Sequence, residues 1–153
     1  MKGKNNYIIA LDESVGLDKK IGIVKSIWNI KITDRFYEGC YDTLLKYGVT
    51  KNNIITKKVP GSFELIHGAK IILKENVDVV ILIGCIIKGE TPHFEFISQA
   101  VTNGVKDLNI KYDIPFIFCV STDLNMSQSI ERSGGKFGNK GVDSALAALQ
   151  LIK

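Results

Sequence analysis

Apolar side chains follow two patterns in this chain, and the patterns alternate. Short runs are apolar at consecutive positions and rich in Ile and Val, as a strand buried on both faces requires. Longer stretches carry apolar residues three or four apart, the spacing of one helix face. Residues 20–25 (KIGIVK) read as the first buried strand. In residues 33–47, Phe36, Cys40, Leu44 and Tyr47 fall at helical spacing, with Gly48 placed to end the helix. Residues 53–59 (NIITKKV) read as a second strand, closed by Pro60 and Gly61. A helix over 62–75 would bury Leu65, Ile66, Ala69, Ile72 and Leu73. Residues 77–87 form the strongest strand. Then Thr91 as N-cap and Pro92 as first helical residue open a helix with a stripe of Ile97, Val101, Gly104, Val105 and Leu108. A strand over 115–121 and helices over 125–133 and 139–152 complete the chain, the last two joined by the glycine-rich residues 134–138.

This alternation predicts a three-layer α/β/α sandwich around a central, mainly parallel four-stranded sheet in flavodoxin-like order. No linker or repeat divides it, so residues 1–153 read as one domain with an N-terminal arm over 1–12. Residues 6–11 (NYIIAL) have strand character but precede the first buried strand by a polar stretch. Such a segment suits the edge of a neighbouring subunit's sheet.

Size and charge narrow the function. A folded chain of 16.9 kDa should expose ~7,700 Å² against ~24,500 Å² unfolded, enough burial for a core without metal or disulfide staples. The excess of 20 Lys and Arg over 16 Asp and Glu suits an anionic small ligand but is too slight to argue for nucleic acid. The longest apolar run is too short to span a bilayer, and the apolar stretch near the N-terminus is too short for a signal peptide, so a cytoplasmic protein without membrane partners is expected. Cys40, Cys85 and Cys119 are widely spaced and form no CxxC pair, and with two histidines in the chain they give no zinc pattern. They read as reduced, buried thiols.

Open parallel sheets bind ligands beyond the carboxyl ends of their strands. After the first strand comes Trp28, the chain's sole tryptophan, either a cap on the core or a stacking plate for a planar ring. After the second come Ser62, Phe63 and Glu64, where Glu64 is either a helix-dipole partner or a ligand for hydroxyl groups. After the third comes Gly84-Cys85-Ile86-Ile87-Lys88-Gly89-Glu90-Thr91-Pro92-His93. A turn into a helix start makes an anion site, and His93 in that first turn is a candidate proton carrier. His67, in mid-helix, reads as structural or surface. Near the end, Arg132 is either part of a basic loop or a bidentate phosphate clamp. Neither a GxxxxGK[ST] nor a GxGxxG spacing occurs.

Three long segments in order, VPGSFE (59–64), IKGETPHFE (87–95) and IERSGGKFGNKG (130–141), resemble the 6,7-dimethyl-8-ribityllumazine synthase family, and the resemblance extends from residue 21 to 152. It implies the penultimate step of riboflavin biosynthesis, the condensation of 5-amino-6-(D-ribitylamino)uracil with 3,4-dihydroxy-2-butanone 4-phosphate, with release of phosphate and water and with no cofactor. It implies that Trp28 stacks on the pyrimidine, that Ser62, Phe63 and Glu64 hold the uracil and ribityl chain, and that Cys85, Ile86 and Ile87 contact the ring. Glu90 and Thr91 would receive the phosphate, His93 would donate protons, and Lys140 would lie near the pyrimidine. Phe118 and Arg132 would come from a neighbouring subunit, Arg132 binding phosphate. The resemblance therefore implies an obligate homo-oligomer, a pentamer or twelve pentamers in a shell, with riboflavin synthase as a conceivable partner. Phenylalanine is commoner in the family at Trp28 and threonine at Cys85. The competing reading is a non-catalytic flavin- or lumazine-binding shell of the same fold, which would need neither His93 nor Arg132. A flavodoxin-like electron carrier would need a phosphate loop after the first strand, and Ser26-Ile27-Trp28-Asn29 lacks it.

Overall fold

The computed structural model describes residues 10–153. Residues 6–9 of the expected N-terminal strand over 6–11, and most of the arm over 1–12, lie outside the described residues, and residues 10–12 form no strand. Four strands, β1 (Ile21–Ser26), β2 (Ile54–Val59), β3 (Val79–Ile87) and β4 (Phe116–Asp123), pair in parallel in the order β2-β1-β3-β4. Five helices accompany them: α1 (Ile30–Lys46), α2 (Leu65–Ile72), α3 (His93–Lys111), α4 (Met126–Arg132) and α5 (Lys140–Ile152). Short 3₁₀ turns over Lys51–Asn53 and Leu73–Glu75 join the body of the fold.

The sheet is parallel because each strand returns through a crossover helix, and it is buried because helices cover both faces. Alternate residues of β1 show the division. Ile21 and Ile23 enter one core with Phe36, Cys40 and Leu44 of α1 and Ala145, Ala148 and Leu149 of α5. Val24 enters the other with Leu65, Ala69 and Ile72 of α2 and Val101, Val105 and Leu108 of α3. Lys25 continues the first face but is a buried cation, and it pairs with Asp34, the fifth residue of α1.

Most strand bounds shift by one or two residues, and three differences bear on the site. α1 starts at Ile30, three residues early, because the Asn29 carbonyl accepts from the Ile32 and Thr33 amides. The second helix starts at Leu65 instead of residue 62 and ends as a 3₁₀ turn, leaving residues 62–64 free as a loop. Residues 134–138 are more than a linker: Ser133–Gly135 (β5) and Gly138–Asn139 (β6) form a small antiparallel hairpin. Asn125 and Asn139 cap α4 and α5 by accepting from the Gln128 and Gly141 amides.

Candidate active site

The strand-end loops are tied to one another before any ligand arrives. Past the end of β1, the Ile27 amide donates to Val59 O at 2.9 Å and the Trp28 amide to Pro60 O at 3.0 Å, so the β1 loop follows the β2 loop. Asn29 then turns into the left-handed region (φ 54°), which asparagine tolerates better than most residues. Its side-chain amide donates to the Cys85 carbonyl on β3 at 3.0 Å. Trp28 is left 68% exposed on the rim. It is therefore no cap on the core, and its ring face is available for stacking.

Beneath it lies a cavity of about 490 Å³, within the range of small-molecule sites. Trp28, Ser62, Phe63, Glu64, Cys85, Ile86, Ile87, Thr91 and His93 line it, nine of the expected site residues. Gly61, Gly89, Phe94 and Ile97 line it as well and were not among them. The Ser62 hydroxyl is buried and has no hydrogen-bond partner among the described residues. Buried polar atoms are seldom left so, and Ser62 is one of the residues that line the cavity. Gly84 makes room for it, since a Cβ there would lie 2.6 Å from Ser62 Oγ.

Thr91 does not cap α3. Pro92 holds the N-cap position in a helical conformation (φ −65°) and makes no side-chain cap bond. Its carbonyl accepts from the Glu95 and Phe96 amides at 3.1 and 3.3 Å, so the ring that fixes φ starts the turn unaided. Thr91 is left on the cavity wall instead. His93 is the first residue of α3, at the positive end of the longest helix, and exposed.

Four expected residues lie elsewhere. Glu90 is exposed and does not line the cavity, although Gly89 and Thr91 on either side do. Lys140 at the start of α5 places its ammonium 6.0 Å from the centre of the Phe118 ring on β4. Arg132 closes α4 with Nε 3.5 Å from Asp123 Oδ1. Cys85 is fully buried with Sγ 3.5 Å from Ser129 Oγ, so it forms wall behind the ring face. Asn29, Ser129 and Asp123 were not expected at the site, and only Asn29, beside the tryptophan in a strand-end loop, offered a sequence signal. Among the described residues no group of three or more His, Cys, Asp or Glu gathers at one point as a metal would need.

All three cysteines are free and buried. Burial pushes the Cys119 thiol up to about 11 and the Cys40 thiol well above its ordinary value, and it raises Cys85 too. The thiolate is the reactive form. Titration of the native protein with a chromogenic disulfide at pH 8 should therefore show no fast-reacting thiol among the three, and all three should react in denaturant. A fast native thiol would contradict the burial described.

A parallel sheet with a histidine, a carboxylate and an exposed aromatic ring around a cavity at its carboxyl end has the architecture of an α/β enzyme. A model of the 6,7-dimethyl-8-ribityllumazine synthase family matches residues 18–153. The 6,7-dimethyl-8-ribityllumazine synthase of Flavobacterium johnsoniae is 55% identical over 135 residues, covering 88% of this chain and 71% of its own. Those of Christiangramia forsetii and Parabacteroides distasonis are 49% and 46% identical, over 89% and 88% of this chain and 82% and 85% of their own. The chain belongs to the 6,7-dimethyl-8-ribityllumazine synthase family, transferases of riboflavin biosynthesis. Among the described residues no helix is long and apolar enough to cross a membrane.

Proposed function

We propose that this cavity condenses 5-amino-6-(D-ribitylamino)uracil with 3,4-dihydroxy-2-butanone 4-phosphate. The observation that carries the reading is the gathering of Trp28, Ser62, Glu64, Thr91 and His93 around one cavity. Trp28 stacks on the pyrimidine, the free Ser62 hydroxyl and Glu64 hold polar groups of the ring and ribityl chain, and Phe63, Ile86 and Ile87 supply apolar walls. An amine of the pyrimidine attacks the ketone to give an imine with loss of one water. Phosphate then leaves, the enol rearranges, and the second amine closes the ring with loss of a second water. Each step moves protons, and His93, at the cavity edge, is placed to carry them. The first turn of α3 beside Thr91 favours the departing anion. Orientation of the two reactants supplies much of the remaining acceleration.

The phosphate end is completed by a second copy. Arg132, Phe118 and Lys140 do not line this chain's cavity, and the family resemblance gives Phe118 and Arg132 to a neighbouring subunit's site. The strand-end loops also expose Trp28, Phe63, Leu124, Met126 and Phe137, large apolar groups that suit an interface. The assembly is a pentamer on this reading, and the short hairpin over 133–139 suits its closure into a shell of twelve.

One experiment tests both parts. Purified protein is separated by size with light-scattering detection, and each fraction is mixed with both substrates. Lumazine absorbance and equimolar phosphate release are expected from oligomeric fractions only. Ligand binding without phosphate release would favour the non-catalytic shell, and a fully active monomer would end the shared-site reading.

A further inference from the structure

Asp123 is the last residue of β4 and is 3% exposed. Its Oδ2 accepts from Ser129 Oγ at 2.7 Å, and its Oδ1 lies 3.5 Å from Arg132 Nε. Ser129 and Arg132 stand three residues apart on α4, so both fall on the face that meets this carboxylate. A buried carboxylate needs a charge partner, and among the described residues Arg132 is its ion pair. The guanidinium carbon also lies 6.0 Å from the centre of the Phe137 ring on the hairpin. The guanidinium is thus held at Nε and against an aromatic ring, while 58% of the side chain stays exposed.

We infer that Asp123 is a positioning residue for phosphate recognition, holding Arg132 by Nε so that both terminal amino groups point outward as a preformed fork. The inference rests on the reading of Arg132 as the phosphate-binding arginine. A free surface arginine must give up its rotamers when it binds, and one already restrained gives up less. A bidentate hydrogen-bonded pair depends on that geometry. The carboxylate also repels phosphate, but the exposed guanidinium would be the nearer charge and of opposite sign. Positioning is expected to outweigh that repulsion. Ser129 holds the carboxylate itself, from a fully buried hydroxyl that also touches Cys85.

The test is calorimetry on the intact oligomer with inorganic phosphate and, separately, a ribitylaminouracil analogue. Asp123→Asn keeps the shape and an acceptor for Ser129 but loses the charge at Nε. It should weaken phosphate about 2- to 5-fold, the scale of a partly exposed ion pair, with the ring analogue unchanged. Ser129→Ala should weaken phosphate about 2-fold by loosening the carboxylate, and it decides the matter if Asp123→Asn does not fold. In an Arg132→Ala background Asp123→Asn should have no further effect. Unchanged or tighter phosphate binding in Asp123→Asn, equal losses for both ligands, or a loss that persists without Arg132 would overturn the positioning role. If Arg132→Ala weakens phosphate and Asp123→Asn does not, only this inference fails. If Arg132→Ala leaves phosphate affinity unchanged, the reading of Arg132 fails first.

Discussion

Gly141→Ala should cost at least about 3 kcal/mol of folding stability, at the upper end of overpacking substitutions, and lower the melting temperature by roughly 6–12 °C for a chain of this size. A Cβ on Gly141 would stand 1.8 Å from the Phe36 carbonyl oxygen and 2.6 Å from its carbon. Both are backbone atoms of α1, so no side chain can swing aside. Phe36 is fully buried, which keeps α1 from shifting outward. Asn139 fixes the other partner: its side-chain amide donates to Arg35 O at 2.9 Å while its Oδ1 accepts from the Gly141 amide at 2.8 Å. Moving α5 away from α1 would break one of these bonds, the one to Arg35 if Asn139 follows its helix. Alanine gains about 1 kcal/mol of helix propensity over glycine, too little to offset this. Gly89→Ala is the control, since a Cβ there meets nothing within 4 Å. Thermal melts followed by circular dichroism decide it: a Gly141→Ala midpoint no lower than that of Gly89→Ala would refute the close crossing of α1 and α5.

That crossing was invisible in the sequence, and the reason is general to what the sequence shows well. β1, β3 and β4 were legible as runs of consecutive apolar residues, a pattern β3 carries over its whole length because it is buried on both faces. The edge strand β2, apolar only at its ends, was marked instead by the turn at Pro60 and Gly61. The parallel topology followed from the alternation of strands and helices, and it directed attention to the strand ends, where Trp28, Glu64 and His93 indeed line one cavity. Thr91 misled as a cap because the sequence does not say that Pro92 starts the turn alone. The hairpin over 133–139 escaped because strands of two or three residues have no period to detect. Asp123, Ser129 and Asn29 escaped for another reason. Each acts through a tertiary bond, Asn29 and Ser129 to Cys85 at separations of 56 and 44 residues, and although the loop beside Trp28 marks Asn29 as near the site, nothing local marks the partner it bonds. Phe118 and Lys140 were placed by the family resemblance alone, since local pattern gives a strand phenylalanine and a helix-start lysine no chemistry.

His93→Ala should lower the catalytic rate by about 10²- to 10⁴-fold, the usual contribution of a positioned proton carrier, while substrate affinities change little. The histidine is exposed at the first position of α3, where truncation removes no core packing. It shares its cavity with Thr91 at the proposed phosphate end and with Ser62 and Glu64 at the proposed ring end. A group between the two reactants is where imine formation, phosphate loss and ring closure each need a proton moved. Pre-steady-state single turnover at saturating concentrations separates this from binding, because a loss confined to the transition state appears in the rate and not in the half-saturating concentration. The other histidine supplies the comparison. His67 stands on α2 beside a second cavity of about 440 Å³, which shares Phe63 and Glu64 with the first and is bounded with Ala100 and Gly104 of α3. His67→Ala should turn over at the parent rate. Equal losses in the two variants would show a shared structural effect, and a His93→Ala rate within about threefold of the parent would remove it from the proton transfers, since threefold is far below what a general acid–base group contributes.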